Sequence, residues 1–301
     1  MPESYCTVGE IELCYETFGD AGDPAMLLVM GLGTQMLGWH EELCAELAGR
    51  GFFVIRFDNR DIGRSTLLDT VRPPTLRQLV LRDKSAASYT LAEMANDAVG
   101  LLDHLGIERA HVVGASMGGM IAQTIAARHP GRVLSLVSIM SNTGSRFNGQ
   151  PALRTYSAFL RPVPRDREAY VEQTIELFRR IGSPGFERDE DDLRRMLGRA
   201  FDRGHDPASS GRQLAAIFAS GDRTDELRRI TAPTLVIHGT ADRLVAVSGG
   251  KATAKAIPGA RLVLVEGMGH DLPRGAWPQI LDAIVENAGR SRQPGRVGTA
   301  A

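Results

Sequence analysis

Neither sign of charge dominates this chain: 35 Lys and Arg stand against 36 Asp and Glu, a formal net charge of −1. Without a basic surplus there is no electrostatic footprint for a phosphate backbone, so no nucleic-acid partner is expected. Long apolar runs are missing too. Nowhere do about 18 apolar residues follow one another, as a spanning helix would need. The opening Met1-Pro2-Glu3-Ser4-Tyr5-Cys6 has neither the basic start nor the apolar stretch of a secretory leader, and a cytoplasmic location is the expectation. Cysteine is scarce. Cys6, Cys14 and Cys44 are odd in number, lie in the first fifth of the chain and lack C-x-x-C spacing, which argues against a disulfide framework and a zinc site and for thiols in a reducing compartment. H-E-x-x-H and Walker patterns are absent. Gly31-Leu32-Gly33 fails as a dinucleotide fingerprint because Met36 stands where the third glycine belongs. Neither a metal nor a cofactor is expected.

What is present is an ordinary globular composition, 43% hydrophobic and 24% charged over 301 residues, enough for one large domain or a core carrying an insertion. Ile11 to Phe18 alternates as a half-buried strand does, and Gly19 to Pro24 is a turn cluster. Ala25 to Met30 and Gly51 to Phe57 read as buried strands around a helix from about Trp39 to Ala48. This is the start of a parallel sheet. Leu91 to Leu105 has helical periodicity, Ala110 to Val113 is a strand, and Met117 to Arg128 is a helix. A strand over Val133 to Met140 follows. Late in the chain come strands over Pro233 to His238 and Arg261 to Val265, with helices near Gly250 to Ala256 and Trp277 to Asn287. Residues 1–140 and 231–288 are therefore expected to form the core. Residues 141–230 show only helix-like stretches, such as Arg165 to Arg180 and Asp189 to Arg203, and are expected to form a helical cap. Phe159, Phe178, Met196, Ile217 and Phe218 are its apolar positions. The Thr66 to Tyr89 connection is long enough to act as a lid over a substrate entrance. Residues 289–301 read as a disordered tail.

The chemistry concentrates at Gly114-Ala115-Ser116-Met117-Gly118. A β-branched run precedes it and a helical stretch follows, so Ser116 sits at a sharp strand-to-helix turn. Bulk two residues either side would clash there, and Gly114 and Gly118 supply none. The helix starting at Met117 aims unpaired N–H groups and its positive dipole end at the same spot. A serine hydroxyl needs a base, and the base a carboxylate. His270, in Gly267-Met268-Gly269-His270 after the Arg261 to Val265 strand, is the candidate base. Asp242, in His238-Gly239-Thr240-Ala241-Asp242 after another strand, is the candidate acid. The order Ser, Asp, His is the one this type of sheet uses. The oxyanion donors are assigned to the backbone N–H groups of Met117 and Leu32. Asp271 is adjacent to the base but points elsewhere, and Asp58 and Asp61 are read as structural members of the turn Asp58 to Ser65. His238, His104, His129 and His40 are weaker candidates for the base.

Through Gly114 to Gly119, Asp58 to Ser65, His238 to Asp242 and Gly267 to His270 the chain resembles the α/β-hydrolase superfamily over nearly its whole length. The resemblance implies an α/β-hydrolase fold, a mostly parallel eight-stranded sheet flanked by helices with a helical cap insertion. Val29 to Gly33 and Leu37-Gly38-Trp39 are similar to the bacterial esterases that include aclacinomycin methylesterase and the mycobacterial lipase G group. Many relatives have His-Gly where this chain has Met30-Gly31, so the hydrogen bonding around the oxyanion donor will differ. The activity implied is a serine carboxylic ester hydrolase on an apolar acyl or small ester substrate. Thioester, phospholipid ester and carbon–carbon bond hydrolysis by the same triad remain alternatives, as does a ligand receptor with residual hydrolysis. Asp-nucleophile dehalogenase and epoxide hydrolase chemistry are disfavoured by Ser116. A transient membrane-surface contact is open, and so is the oligomeric state.

Overall fold

A computed structural model of the chain describes residues 2–152 and 161–292. Eight strands form one sheet: β1 (Ser4–Val8), β2 (Ile11–Phe18), β3 (Ala25–Val29), β4 (Phe53–Phe57), β5 (Ala110–Ala115), β6 (Val133–Ile139), β7 (Thr234–Gly239) and β8 (Arg261–Val265). Their spatial order is β1-β2-β4-β3-β5-β6-β7-β8. The β1–β2 and β2–β4 pairs are antiparallel and the rest parallel. Central strands covered by helices on both faces cannot alternate in polarity, and β3 (AMLLV) and β5 (AHVVGA) are buried at every position.

One face of the sheet carries α1 (Glu41–Gly49) and α10 (Trp277–Gly289); the other carries α3 (Leu91–His104), α4 (Met117–Arg128) and α9 (Val247–Ala256). Thr90 and Glu93 close a capping box that starts α3. Helix α4 is buried from Met117 to Ala126, which places the end of β5 and the start of α4 at the centre of the fold.

Between β6 and β7 the described residues hold α5 (Arg167–Ile181), α6 (Glu190–Arg203), α7 (Ser209–Ser220) and α8 (Thr224–Leu227), with no strand among them. Val171 and Ile175 of α5 pack against Leu197 of α6 as a small separate core. Phe159 lies outside the described residues. Edge strand β1, helices α7 and α8, and a helix within the Thr66 to Tyr89 connection were not anticipated. The helix within the connection, α2 (Leu76–Leu81), starts from a capping box of Thr75 and Gln78 and leaves Leu76, Val80 and Leu81 exposed. Of the tail read as disordered, residues 289–292 are described, and Gly289 ends α10. Residues Arg290–Arg292 form a 3-10 turn whose Arg290 Nη1 donates to Thr234 O; residues 293–301 lie outside the described residues.

Two arginines of the β6–β7 segment reach into the core. Arg203 donates to the Asp58 carboxylate at 2.9 Å, and Arg212 forks onto Asp61 at 2.7 and 2.6 Å, all four side chains being buried. Asp58 also accepts from the Met36 and Arg64 N–H groups, yet burial still holds its carboxyl above the ordinary carboxylate range. Both aspartates thus serve the architecture. Arg212→Ala strands a buried carboxylate, and we expect it to cost about 3–5 kcal/mol of unfolding free energy, read by urea denaturation. A loss below about 1 kcal/mol would mean that Asp61 finds other partners.

Candidate active site

At the end of β5 the chain must reverse into α4 within one residue. Ser116 takes φ 55 and ψ −119, a conformation unusual for a residue with a Cβ, and its N–H is held by Ile139 O at 2.9 Å. Such a strained residue costs of order 1–3 kcal/mol, which the surrounding packing must overcome. The glycines make this packing feasible. A Cβ on Gly114 would lie 2.1 Å from Gly118 O, and one on Gly118 2.0 Å from Val29 O. Backbone cannot yield to either. Gly118→Ala is therefore expected to cost about 3 kcal/mol or more, a fall of roughly 6–12 °C in melting temperature or loss of soluble protein. An unchanged melting curve would show that α4 can shift off β3.

Asp242 follows β7 in a tight turn that its own side chain organises, Oδ1 accepting the N–H groups of Leu244 at 2.9 Å and Val245 at 2.8 Å. His270 follows β8. Its loop is fixed by hydrogen bonds to the end of α5 and the residues after it: His270 N–H to Ile181 O at 2.7 Å, Gly185 N–H to Gly267 O at 3.0 Å, and Gly269 N–H to the Ser183 hydroxyl at 2.8 Å. Ser183 in turn bonds the Asp271 carboxylate, so Asp271 does face away from Ser116. Burial raises the Asp271 pKa.

These three loops bring the predicted side chains together. His270 Nδ1 lies 2.8 Å from Asp242 Oδ2, and His270 Nε2 lies 2.9 Å from Ser116 Oγ. A carboxylate at Nδ1 requires the proton on that nitrogen and leaves the Nε2 lone pair facing the hydroxyl. Asp242 and His270 are 8% exposed each, so the pair is shielded while Ser116 stays reachable.

The loop after β3, where one of the oxyanion donors is expected, lies against Ser116. Gly31 packs so tightly on Ser116 that a Cβ there would sit 3.1 Å from Ser116 Cβ. Thr34 N–H closes onto Gly31 O at 3.3 Å, making Gly31 to Thr34 a turn with Leu32 in its middle. Met117 opens α4, so its N–H has no acceptor inside the helix. Asn59 Nδ2 donates to Met30 O at 3.0 Å, the hydrogen bonding that accompanies methionine at this strand end.

The remaining histidines are engaged elsewhere. His238 Nε2 bonds Val245 O at 2.8 Å and lies 3.5 Å from Asp242 Oδ2, bracing the Asp242 turn from below; burial lowers its pKa. His129 pairs with Asn96, His104 stacks edge-on with Tyr15, and His40 sits against Trp277. Burial pushes the Cys14 and Cys44 thiols up to about 12, so neither is a nucleophile near neutral pH. Among the described residues no three His, Cys, Asp or Glu side chains are grouped to hold a metal, and no helix is long and apolar enough to cross a membrane.

Sequence reading missed Gln213, a fully buried residue of α7. Its Oε1 accepts the Gly33 N–H at 2.9 Å and its Nε2 donates to Arg60 O at 3.1 Å. Glutamine amid Arg212, Leu214, Ala215 and Ala216 gives no local signal of a partner 180 residues away.

A family model described as alpha/beta hydrolase fold matches residues 24–273. Rhodomycin D methylesterase DauP of Streptomyces sp. (strain C5) is 30% identical over 310 residues, covering 94% of this chain and 97% of that protein. Its counterpart DnrP from Streptomyces peucetius is 29% identical over the same span. Among solved structures, an enol-lactonase from Burkholderia xenovorans superposes with a TM-score of 0.74 at 25% identity, covering 95% of this chain and all of that one.

Proposed function

The chain belongs to the α/β-hydrolase family, and on that premise we propose that it is a serine carboxylic ester hydrolase with Ser116 as nucleophile, His270 as base and Asp242 as its orienting acid. The observation that carries this reading is the continuous line Asp242 Oδ2, His270, Ser116 Oγ at 2.8 and 2.9 Å. In this mechanism Ser116 Oγ attacks the ester carbonyl as its proton passes to His270 Nε2. The tetrahedral oxyanion is held by the Met117 and Leu32 N–H groups. Collapse breaks the bond to the alkoxy group, which leaves as the alcohol with the proton from His270. Water, deprotonated by His270, then attacks the acyl enzyme and releases the acid.

The relatives' names direct the substrate search to methyl esters. Hydrolysis of p-nitrophenyl esters of increasing acyl length, set beside methyl esters of bulky aromatic acids, tests this. Methyl ester turnover exceeding that of the matching thioester and phospholipid ester is the expected result. The reverse order would transfer the assignment to thioesterase or phospholipase chemistry.

Contact with a lipid surface belongs to the same reading. Leu76, Val80, Leu81 and Phe147 are exposed, and Arg82 of the α2 cap bonds Gln150 at 3.0 Å, which joins the two segments at one rim. Faster hydrolysis of an ester presented in vesicles than of the same ester in free solution, abolished in a Leu76→Ser, Val80→Ser, Leu81→Ser triple variant, is expected. Equal rates in both settings would remove the lipid surface from the reading.

A further inference from the structure

We infer that Ser183 is a positioning residue for His270: its hydroxyl bridges the residue before the base and the residue after it, and so keeps the imidazole in place between Asp242 and Ser116. The inference rests on the serine hydrolase reading above. Ser183 Oγ accepts the Gly269 N–H at 2.8 Å and bonds Asp271 Oδ1, in a residue that is buried. A hydroxyl carries one proton. Because the Gly269 N–H can only donate, the Ser183 proton is left for the Asp271 carboxylate, and the bridge runs in one direction. Between its two ends the His270 N–H donates to Ile181 O at 2.7 Å. Residues 269, 270 and 271 are thus held in succession by Ser183, Ile181 and Ser183 again.

The start of the loop is tied separately, Gly267 O accepting from Gly185 N–H at 3.0 Å and Met268 O from Ala241 N–H at 2.9 Å. Gly269 stands between those anchors and the base. Space requires a glycine there, since a Cβ would lie 2.3 Å from Gly182 O, and a glycine has no side chain to restrict its own backbone. With the Ile181 bond alone, His270 would have a pivot at its N–H and a soft link on its upstream side. Rocking about that pivot moves Cα and Cβ of His270, and the ring moves with them. The Ser183 bridge stops the rocking because it grips both sides of the pivot. Ile181 O and Gly185 N–H are backbone groups that any side chain at those positions would supply, whereas the grip on residues 269 and 271 depends on the hydroxyl of Ser183.

The test compares Ser183→Ala, which removes both bonds, with Ser183→Cys, which keeps the bulk and offers only a weak donor and acceptor. A misplacement of about 1 Å in an active site can cost about a hundredfold in rate, and a loosened loop should displace the imidazole by less. Both variants are therefore expected to lower kcat roughly five- to fiftyfold with KM within about twofold, measured well below their melting temperatures. The proton NMR resonance of His270 Nδ1–H, which reports the bond to Asp242, should broaden or move upfield in both, a change that lost packing elsewhere would not produce. Should Ser183→Ala not fold, Ser183→Cys provides the same readouts. A kcat within about twofold of wild type in a folded variant overturns the inference. So does a lowered kcat with an unchanged Nδ1–H resonance, which would place the loss outside the His270 contact. Ser116→Ala separates the two levels: if it abolishes turnover while Ser183→Ala does not affect kcat, the hydrolase reading stands and the role of Ser183 falls. If Ser116→Ala retains turnover, the hydrolase reading itself fails.

Discussion

Ser116→Ala is expected to lower ester turnover about a millionfold while the protein stays folded. The hydroxyl lies at the end of the hydrogen-bonded line through His270 to Asp242, and Ala takes away the atom that forms the acyl bond. Nothing in the packing depends on Oγ, because the strained turn is held by the backbone bond to Ile139 and by Gly114 and Gly118. The residual rate should be what substrate binding and the oxyanion donors supply without a nucleophile, roughly 10³–10⁴ over water. Steady-state p-nitrophenyl ester kinetics with a circular dichroism control provide the measurement. A folded variant that kept more than about one per cent of wild-type kcat would remove Ser116 from the chemistry, far outside the millionfold expectation.

Asp242→Asn is expected to lower kcat about ten-thousandfold. An amide can keep the Oδ1 contacts to the Leu244 and Val245 N–H groups, so the turn should survive. The other position then carries an NH₂ facing His270 Nδ1, which stabilises the tautomer with the proton on Nε2. That proton occupies the lone pair Ser116 needs. The loss should appear in kcat with little change in KM, and a melting temperature near that of wild type would separate it from unfolding. A loss of only a few fold would show that His270 is oriented by its backbone anchors alone.

Much of this was legible because local chemistry and topology agree. Ser116 announces itself through the flanking glycines and the switch from β-branched to helical periodicity, and Asp242 and His270 because each follows a strand closely enough for the sheet to deliver it to the same edge. The central strands were readable as unbroken apolar runs. Edge strand β1 was not, since SYCTV has a short and mixed pattern that only pairing with β2 turns into a strand. Helix α7 escaped because its inward face mixes polar with small residues: Arg212 and Gln213 are buried against Asp61 and Gly33 beside Ala215 and Ala216, so the apolar periodicity is weak. The Thr66 to Tyr89 connection hid α2 because two prolines precede only six helical residues. Long-range polar pairing carries no sequence period.

The bonds from Ile181, Ser183 and Gly185 to the His270 loop bear on how this protein could have been assembled in evolution. An insertion is usually pictured as an accessory that can be exchanged to alter substrate choice while a self-sufficient core keeps its chemistry. Here the loop bearing His270 is held by backbone groups of Ile181 and Gly185 and by the Ser183 hydroxyl, all from the β6–β7 segment, and Gly185 meets Gly267 of that loop at close approach: a Cβ on Gly185 would lie 2.7 Å from Gly267 Cα. The core is not a module. A graft that replaced the segment would have to bring its own partners for the His270 loop, so descendants with new specificity are more accessible through side-chain changes on the existing helices than through exchange of the whole piece.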